Sequence, residues 1–246
     1  MGFVIAVLSG KGGTGKTSVC AGVSVALAQS GLRVLCVDCD VGLRNLDISL
    51  GLSDSSALSF QDVSEGGYSL DQAARHTLYP ELAFLTAPMN RDVGQVDIEA
   101  FHEMLRSARN EFDFILLDAA AGVDAGFKLV SAAADRFIVV TGFGPAAVRD
   151  AYRVGELLEL AGKTDVRLVV NRVDRTMLSI LNKTIDDVMD DAGLPLLGVV
   201  LEDPDVPMAA ACGMSLARYN KRSAAAQCFK RIARRIQGFP EPIKIR

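Results

Sequence analysis

The 246-residue chain contains no uncharged apolar run of about 18 residues, the length that a membrane-crossing helix needs. Its most hydrophobic stretches are broken by residues such as Asp135 and Arg136. It also has no secretory signal pattern, because the first apolar stretch is short, lacks a basic flank and runs straight into a Gly-rich loop. Low-complexity runs, Pro/Ser-rich linkers and internal repeats are missing, so nothing divides the chain. One domain over residues 1–246 is expected, soluble and cytoplasmic, and long enough for a sizeable core. The cysteines (Cys20, Cys36, Cys39, Cys212, Cys228) are odd in number and scattered through apolar segments, which speaks against a disulfide frame. Cys36-Val37-Asp38-Cys39 spells C-x-x-C, but at a strand end rather than at a helix start, where thiol pKa values fall. His76 and His102 lack Cys or His neighbours at ligand spacing and are read as surface or core residues.

What is present begins almost at once. Gly10-Lys11-Gly12-Gly13-Thr14-Gly15-Lys16-Thr17 fits G-x-x-x-x-G-K-S/T directly behind the apolar run Phe3–Leu8, and a helical pattern from Val19 to Gln29 follows. Backbone N–H groups can wrap phosphate oxygens only if the chain comes close and turns sharply, which Gly permits. The helix that opens through Lys16, Thr17 and Ser18 points its positive end at the same anion. Lys16 is expected between the β- and γ-phosphates, and the Thr17 hydroxyl on Mg²⁺.

Seven short, nearly continuous apolar runs recur: Phe3–Leu8, Val34–Val37, Leu82–Leu85, Phe112–Leu117, Phe137–Val140, Leu168–Val170 and Leu196–Leu201. Helical patterns lie between them, at Val19–Gln29, Asp97–Arg109, Ala146–Leu160 and Thr184–Asp191, and another starts at Asp203-Pro204. Continuous strands alternating with helices predict an α/β fold of the P-loop NTPase type, a mostly parallel twisted sheet with helices on both faces. Right-handed crossovers then gather the strands' C-terminal ends on one edge, where ligands bind.

Several residues meet at that edge. Asp38 and Asp40, at i and i+2 of an extended strand end, point the same way and could both face Mg²⁺ and the γ-phosphate. Phe114-Ile115-Leu116-Leu117-Asp118 has the Walker B form, its carboxylate suited to Thr17 and a Mg²⁺-bound water. The last helix, about Lys221–Ile236, puts Ala225, Cys228, Phe229, Ile232 and Ile236 on one stripe and Lys230, Arg231, Arg234 and Arg235 largely off it, so it is expected to show its charges outward. From Cys212 onward nine Lys/Arg face one Glu, +8, while everything earlier carries −12.

The second lysine, Lys11, right after the first Gly, makes the GKGGTGKT form, which resembles the deviant phosphate loop of the MinD/ParA family of ATPases. The run Asp38-Cys39-Asp40-Val41-Gly42-Leu43-Arg44-Asn45-Leu46-Asp47 narrows the resemblance to the MinD septum-site ATPases. The resemblance covers Met1 to about Gly238 and implies ATP/ADP and Mg²⁺ as cofactors. It further implies an ATP-dependent homodimer in which Lys11 reaches the partner's phosphates. By it, Asp38 binds a Mg²⁺-held water, Asp40 orients the attacking water, Asn171 (followed by Arg172) bonds the adenine edge, and Asp203 belongs to a second adenine-side segment. MinC- and MinE-like partners and placement of the division septum follow from the same likeness, with slow ATP hydrolysis as the reset. Two departures stand out. Ala119-Ala120 replaces the family's serine and proline after Asp118, which bears on the hydrolysis rate. Only residues 237–246 follow Ile236, and Gly238, Pro240 and Pro242 among them are hostile to the family's membrane-entering helix. Three readings stay open: the anchor lies in chain outside this sequence, or the basic helix ending at Ile236 meets an anionic membrane surface, peripheral on the inner face of the cell membrane, or the protein does not bind membranes.

Rival readings remain on the same fold. The basic C-terminal charges suit a DNA-partition ATPase, whereas the GLRNLD run argues against it, and a flagellar-placement ATPase stands close behind. The iron–sulfur ATPases of this fold need cysteines between the Walker B strand and the adenine segment, and none occurs between Cys39 and Cys212. A small-molecule biosynthetic ligase or kinase needs a second substrate pocket, for which the sequence has no clear candidate.

Overall fold

A computed structural model describes residues 1–41, 43–53, 56–88 and 93–243; Gly42 of the acidic run and tail residues Lys244, Ile245 and Arg246 lie outside the described residues. The first half of the chain runs β1 (Phe3–Leu8), α1 (Lys16–Ala28), β2 (Val34–Cys39), α2 (Leu46–Leu50), α3 (Phe60–Ser64), β3 (Ala74–Arg75), β4 (Leu82–Leu85), α4 (Ile98–Glu111) and β5 (Phe114–Ala119). The second half runs α5 (Ala125–Ala133), β6 (Arg136–Thr141), α6 (Pro145–Leu160), β7 (Val166–Val173), α7 (Arg175–Ile180), α8 (Ile185–Ala192), β8 (Leu196–Leu201), α9 (Asp205–Ala211), α10 (Leu216–Tyr219) and α11 (Ala224–Ile236).

The strands form an eight-stranded sheet in the order β3-β4-β2-β5-β1-β6-β7-β8. Among the described residues its pairs are parallel except β3 with β4, a short antiparallel edge that the apolar runs did not reveal. The alternation of strand side chains divides the core into two layers. Val4, Ala6, Leu8, Leu35, Val37 and Cys39 face a layer closed by α3, α4, α5, α6 and α8. Ile5, Val7, Val34, Cys36, Phe114 and Leu116 face the other layer, with α1, α2, α9 and α11. Helices therefore cover both faces, as the sequence pattern requires. Cys36 and Cys39 fall in opposite layers, so the C-x-x-C spelling brings no two thiols together, and burial pushes the Cys39 thiol well above its usual pKa.

Four strands run past their apolar stretches, β6 among them, from Arg136 through Thr141. β2 continues through Asp38 and β5 through Asp118, because backbone pairing persists where side chains turn polar (Asp38 sits opposite Asp118). Phe112, expected to open β5, instead ends α4, its N–H bonded to the Ala108 carbonyl at 2.9 Å. β7 does not close before Asn171 but carries Asn171 and Arg172 within it, with its register against β8 shifted between Val170 and Val173.

The last helix docks as its stripe predicts: Ala225, Cys228, Phe229, Ile232 and Ile236 are buried, and Ser223 caps its start by accepting the Ala226 N–H at 3.1 Å. Its charges do not all face outward, however. Gly238 (φ +90°) turns the chain back, so that Arg235 donates to the Leu197 carbonyl at 2.7 Å and to the Glu241 carbonyl, while Arg234 pairs with the Glu241 carboxylate. Carbonyls at the start of β8 and in the returning tail satisfy the half-buried Arg235, whereas Arg234 stays exposed with its charge paired by the Glu241 carboxylate. No helix among the described residues is long and apolar enough to cross a membrane.

α11 lies against α1 at a position where only Gly fits. A Cβ on Gly22 would stand 2.2 Å from Cδ2 of the Phe229 ring. Gly22→Val is therefore expected to lower stability by about 1–3 kcal/mol through overpacking. Urea unfolding of the variant at least as stable as the parent would contradict this packing.

Candidate active site

The phosphate loop and the acidic strand ends converge because of strand parity. Asp38 and Asp118 share the parity of Cys36 and Leu116, whose side chains face the α1 layer, and they stand side by side on neighbouring strands β2 and β5. Val7 of β1 pairs with Asp118 on the other side, so the loop that leaves β1 passes over the same spot before entering α1. The first residue of α1 is Lys16.

The loop has the form of an anion cradle. Gly13 and Gly15 both take φ +82°, where a side chain would be strained. A Cβ on Gly10 would meet Cβ and the carbonyl oxygen of Asp150 in α6, each at 2.5 Å. Helix α1 is capped by Gly15 with no side-chain hydrogen bond and has no acidic residue in its first turn, so no residue of its own offsets its first N–H groups and positive dipole end. The Thr14 hydroxyl is buried with no partner among the described residues. Backbone donors, an uncompensated dipole and an orphaned hydroxyl fit a polyphosphate. Lys11 is exposed on this loop, its carbonyl accepting the Ser9 hydroxyl at 3.1 Å, and Thr17 and Ser18 are half-buried at the start of α1.

Beneath the loop, Lys16 Nζ lies 2.6 Å from Asp118 Oδ1, with side chains only 6% and 1% exposed. Burial pulls the Lys16 pKa down, but the Asp118 carboxylate outweighs it, and the ammonium titrates above its ordinary value. Asp38 is fully buried and accepts the N–H groups of Asp40 (2.9 Å), Asn45 (3.2 Å) and Leu46 (3.2 Å), which ties the loop after β2 to the start of α2. Burial first, and the neighbouring Asp118 charge second, push its pKa up to about 6. Asp40 is half-buried and also raised, by burial against the counter-pull of Lys16. Three carboxylates around one lysine leave the site negative, and a divalent cation would relieve it. Thr17 and Asp118 offer the hard oxygen donors that Mg²⁺ prefers, and Asp38 is adjacent although its oxygens already serve backbone donors.

On the far side of the loop, Gly15, Ser18, Asn171, Arg172, Glu202 and Pro207 help line a cavity of about 270 Å³. Asn171 is buried there, and Arg172 forms a two-pronged pair with Glu202 at 2.9 and 3.2 Å. Asp203 touches the cavity, but its carboxylate accepts the Asp205 N–H at 3.0 Å and the Ala225 N–H at 2.9 Å, so it holds α9 and α11 in place. Glu202, which belongs with Asp203 to the adenine-side segment of the resemblance, and Pro207, for which the sequence held no signal, are part of the wall. What the segment did not reveal is that Glu202 pairs with Arg172 of the neighbouring strand.

The chain matches the model of the CobQ/CobB/MinD/ParA nucleotide binding domain over residues 5–216. It is 36% identical over 241 residues to the septum site-determining protein MinD of Synechocystis, across 97% of this chain and 90% of that protein. The chain belongs to the MinD family. Solved structures agree. The MinC:MinD cell division protein complex of Aquifex aeolicus contains a chain of TM-score 0.90 and 31% identity, with 98% of each chain covered. MinD complexed with Mg-ADP from Pyrococcus horikoshii gives a TM-score of 0.84 at 31% identity, with 96% of each covered. Like its relatives, this MinD-family chain is a nucleotide-binding ATPase.

The raised pKa of Asp38 has a definite sign. Folding favours its protonated form, so its contribution to stability is full below about pH 3.8 and is lost as the pH rises through about 6. Carboxyl-carbon NMR of the nucleotide-free protein should find the Asp38 midpoint near 6, and Asp118→Asn should lower it by removing the second cause. A midpoint that stays put in the variant would separate the two carboxylates electrostatically.

Proposed function

We propose that this chain is an ATP-dependent switch that places the division septum. It hydrolyses ATP to ADP and phosphate, pairs face to face with a second copy when ATP is bound, and separates after hydrolysis. The observation that carries this reading is the cradle of Gly10–Thr17 set directly over the Lys16–Asp118 pair, with a further lysine, Lys11, exposed on the same loop.

In this reading the loop N–H groups from Gly12 to Ser18 hold the phosphates, and Lys16 exchanges part of its pairing with Asp118 for the β- and γ-oxygens. Mg²⁺, when bound, would neutralise phosphate charge, held through Thr17 and Asp118 with Asp38 at one remove. Asp40 orients the attacking water, and Lys11 of each copy reaches the other's phosphates. Such catalysis consists of positioning and charge stabilisation. Asn171 and Arg172 wall the base side, and Asp203 acts there by fixing α9. Ala119 and Ala120 leave no hydroxyl beside Asp118, consistent with slow turnover. A MinC-like partner is drawn from the MinC:MinD complex of Aquifex aeolicus, and a MinE-like partner from the family likeness. The chain acts in the cytoplasm and peripherally on the inner face of the cell membrane. The DNA-partition reading loses ground through the likeness to MinD; the pairing of Arg234 and Arg235 with the tail and β8 bears on DNA and membrane contact alike.

Lys16→Ala is expected to abolish ATP-dependent dimerisation in sedimentation velocity. Because that change also strands a buried carboxylate, at a cost of about 3–5 kcal/mol, Lys16→Gln, which keeps a donor for Asp118, should give the same loss in a stable protein. Normal dimers in the glutamine variant would reject the role of the charge.

Asp40→Ala should bind ATP and dimerise but hydrolyse at least about 10²-fold more slowly. With this trapped dimer, anionic liposomes should co-sediment in ATP and not in ADP. Binding of DNA instead would transfer the protein to the partition reading, and turnover at the parental rate would remove Asp40 from the reaction.

A further inference from the structure

The sequence likeness gives Asn171 to the nucleotide base, yet its hydrogen bond goes elsewhere. Its side chain is 4% exposed, and Nδ2 donates to the Thr14 carbonyl at 2.8 Å. The amide orientation follows from that partner, since a carbonyl oxygen accepts only from the nitrogen. The same nitrogen occupies the bare face of Gly15, where a Cβ would come within 2.2 Å of it. The next residue, Arg172, takes φ +57°, and its Nη1 lies 3.5 Å from the Gly13 carbonyl while the rest of its fork holds Glu202. Two consecutive residues of β7, at a register shift against β8, thus reach two consecutive carbonyls of the phosphate loop.

In a trans peptide the C=O of one residue and the N–H of the next point in opposite directions. A Thr14 carbonyl drawn toward β7 therefore aims the Gly15 N–H away from it, and a Gly13 carbonyl drawn the same way aims the Thr14 N–H. We propose that Asn171, assisted by Arg172, is a positioning residue that staples the phosphate loop to β7 and turns these amides into the phosphate cradle. The inference rests on the nucleotide-binding reading of that loop. It also makes the wall of the base-side cavity and the shape of the cradle one mechanical unit, since Gly15 and Asn171 line the cavity together. A contact to the base alone would leave the loop indifferent to Asn171.

Inorganic tripolyphosphate, which has no base, separates the two roles. In Asn171→Ala and in the isosteric Asn171→Asp, which lacks the donor, amide hydrogen exchange of Gly13–Lys16 in the nucleotide-free protein should quicken about three- to tenfold. Tripolyphosphate affinity should fall by a similar factor, and the ³¹P shift of the β-phosphate of bound ADP should move. In the unsubstituted protein, NMR should find one Asn171 side-chain amide proton protected from exchange, a reading that needs no variant. Loop exchange unchanged in both variants, or two equally fast Asn171 amide protons, would overturn the staple even if ATP affinity fell. Failure of the unsubstituted protein to bind ATP would instead overturn the nucleotide reading itself.

Discussion

A lysine and an aspartate that meet out of reach of water, Lys16 and Asp118, hold the centre of this molecule. Neither charge could be buried alone at an acceptable cost. Their contact requires that the first turn of α1 sit directly above the end of β5, which in turn requires β1 and β5 to be neighbours in register. The order of the central strands, the sharp glycine turns of the loop and the packing of α1 against the sheet all serve this one placement. The pair also leaves the site chemically poised: Lys16 satisfies Asp118 within the protein, and both groups can be shared with a polyphosphate and its cation.

Around that pair the charges are arranged in a gradient of engagement. Asp38 is immobilised by three backbone N–H groups and shapes the loop after β2. Asp118 is bound to Lys16, and Asp40, half-buried, is the least enclosed of the three. The deeper a carboxylate lies, the more its role is to organise the others. The same holds on the base side, where buried Asp203 braces two helices while exposed Glu202 and Arg172 form the rim.

The C-terminal helix answers to a different constraint. Its apolar stripe settles against α1 and β8, where Gly22 and Gly198 leave room for Phe229 and Ile232. This contact places α11 directly behind the phosphate-loop helix, and Phe229 reaches the wall of the base-side cavity. Events at the nucleotide and at the basic helix are therefore separated by a single layer of packed side chains.

By itself the sequence determined the phosphate loop, the alternation of apolar strands with helices, the acidic pair after the second strand and the family. Each of these is a local pattern, governed by the spacing of residues along a few turns or one strand. It also marked the buried stripe of α11 correctly, because a helical period of 3.6 fixes a face without knowledge of its partner. Tertiary structure alone decided that Arg234 and Arg235 turn to a returning tail, that Asp203 braces two helices at the cavity wall, that β7 runs on through Asn171, and that Glu202 holds Arg172. These outcomes depend on which carbonyl or N–H from a distant part of the chain happens to lie within hydrogen-bond reach. Sequence spacing carries no such information, because a polar side chain takes its partner from the space around it rather than from its neighbours along the chain.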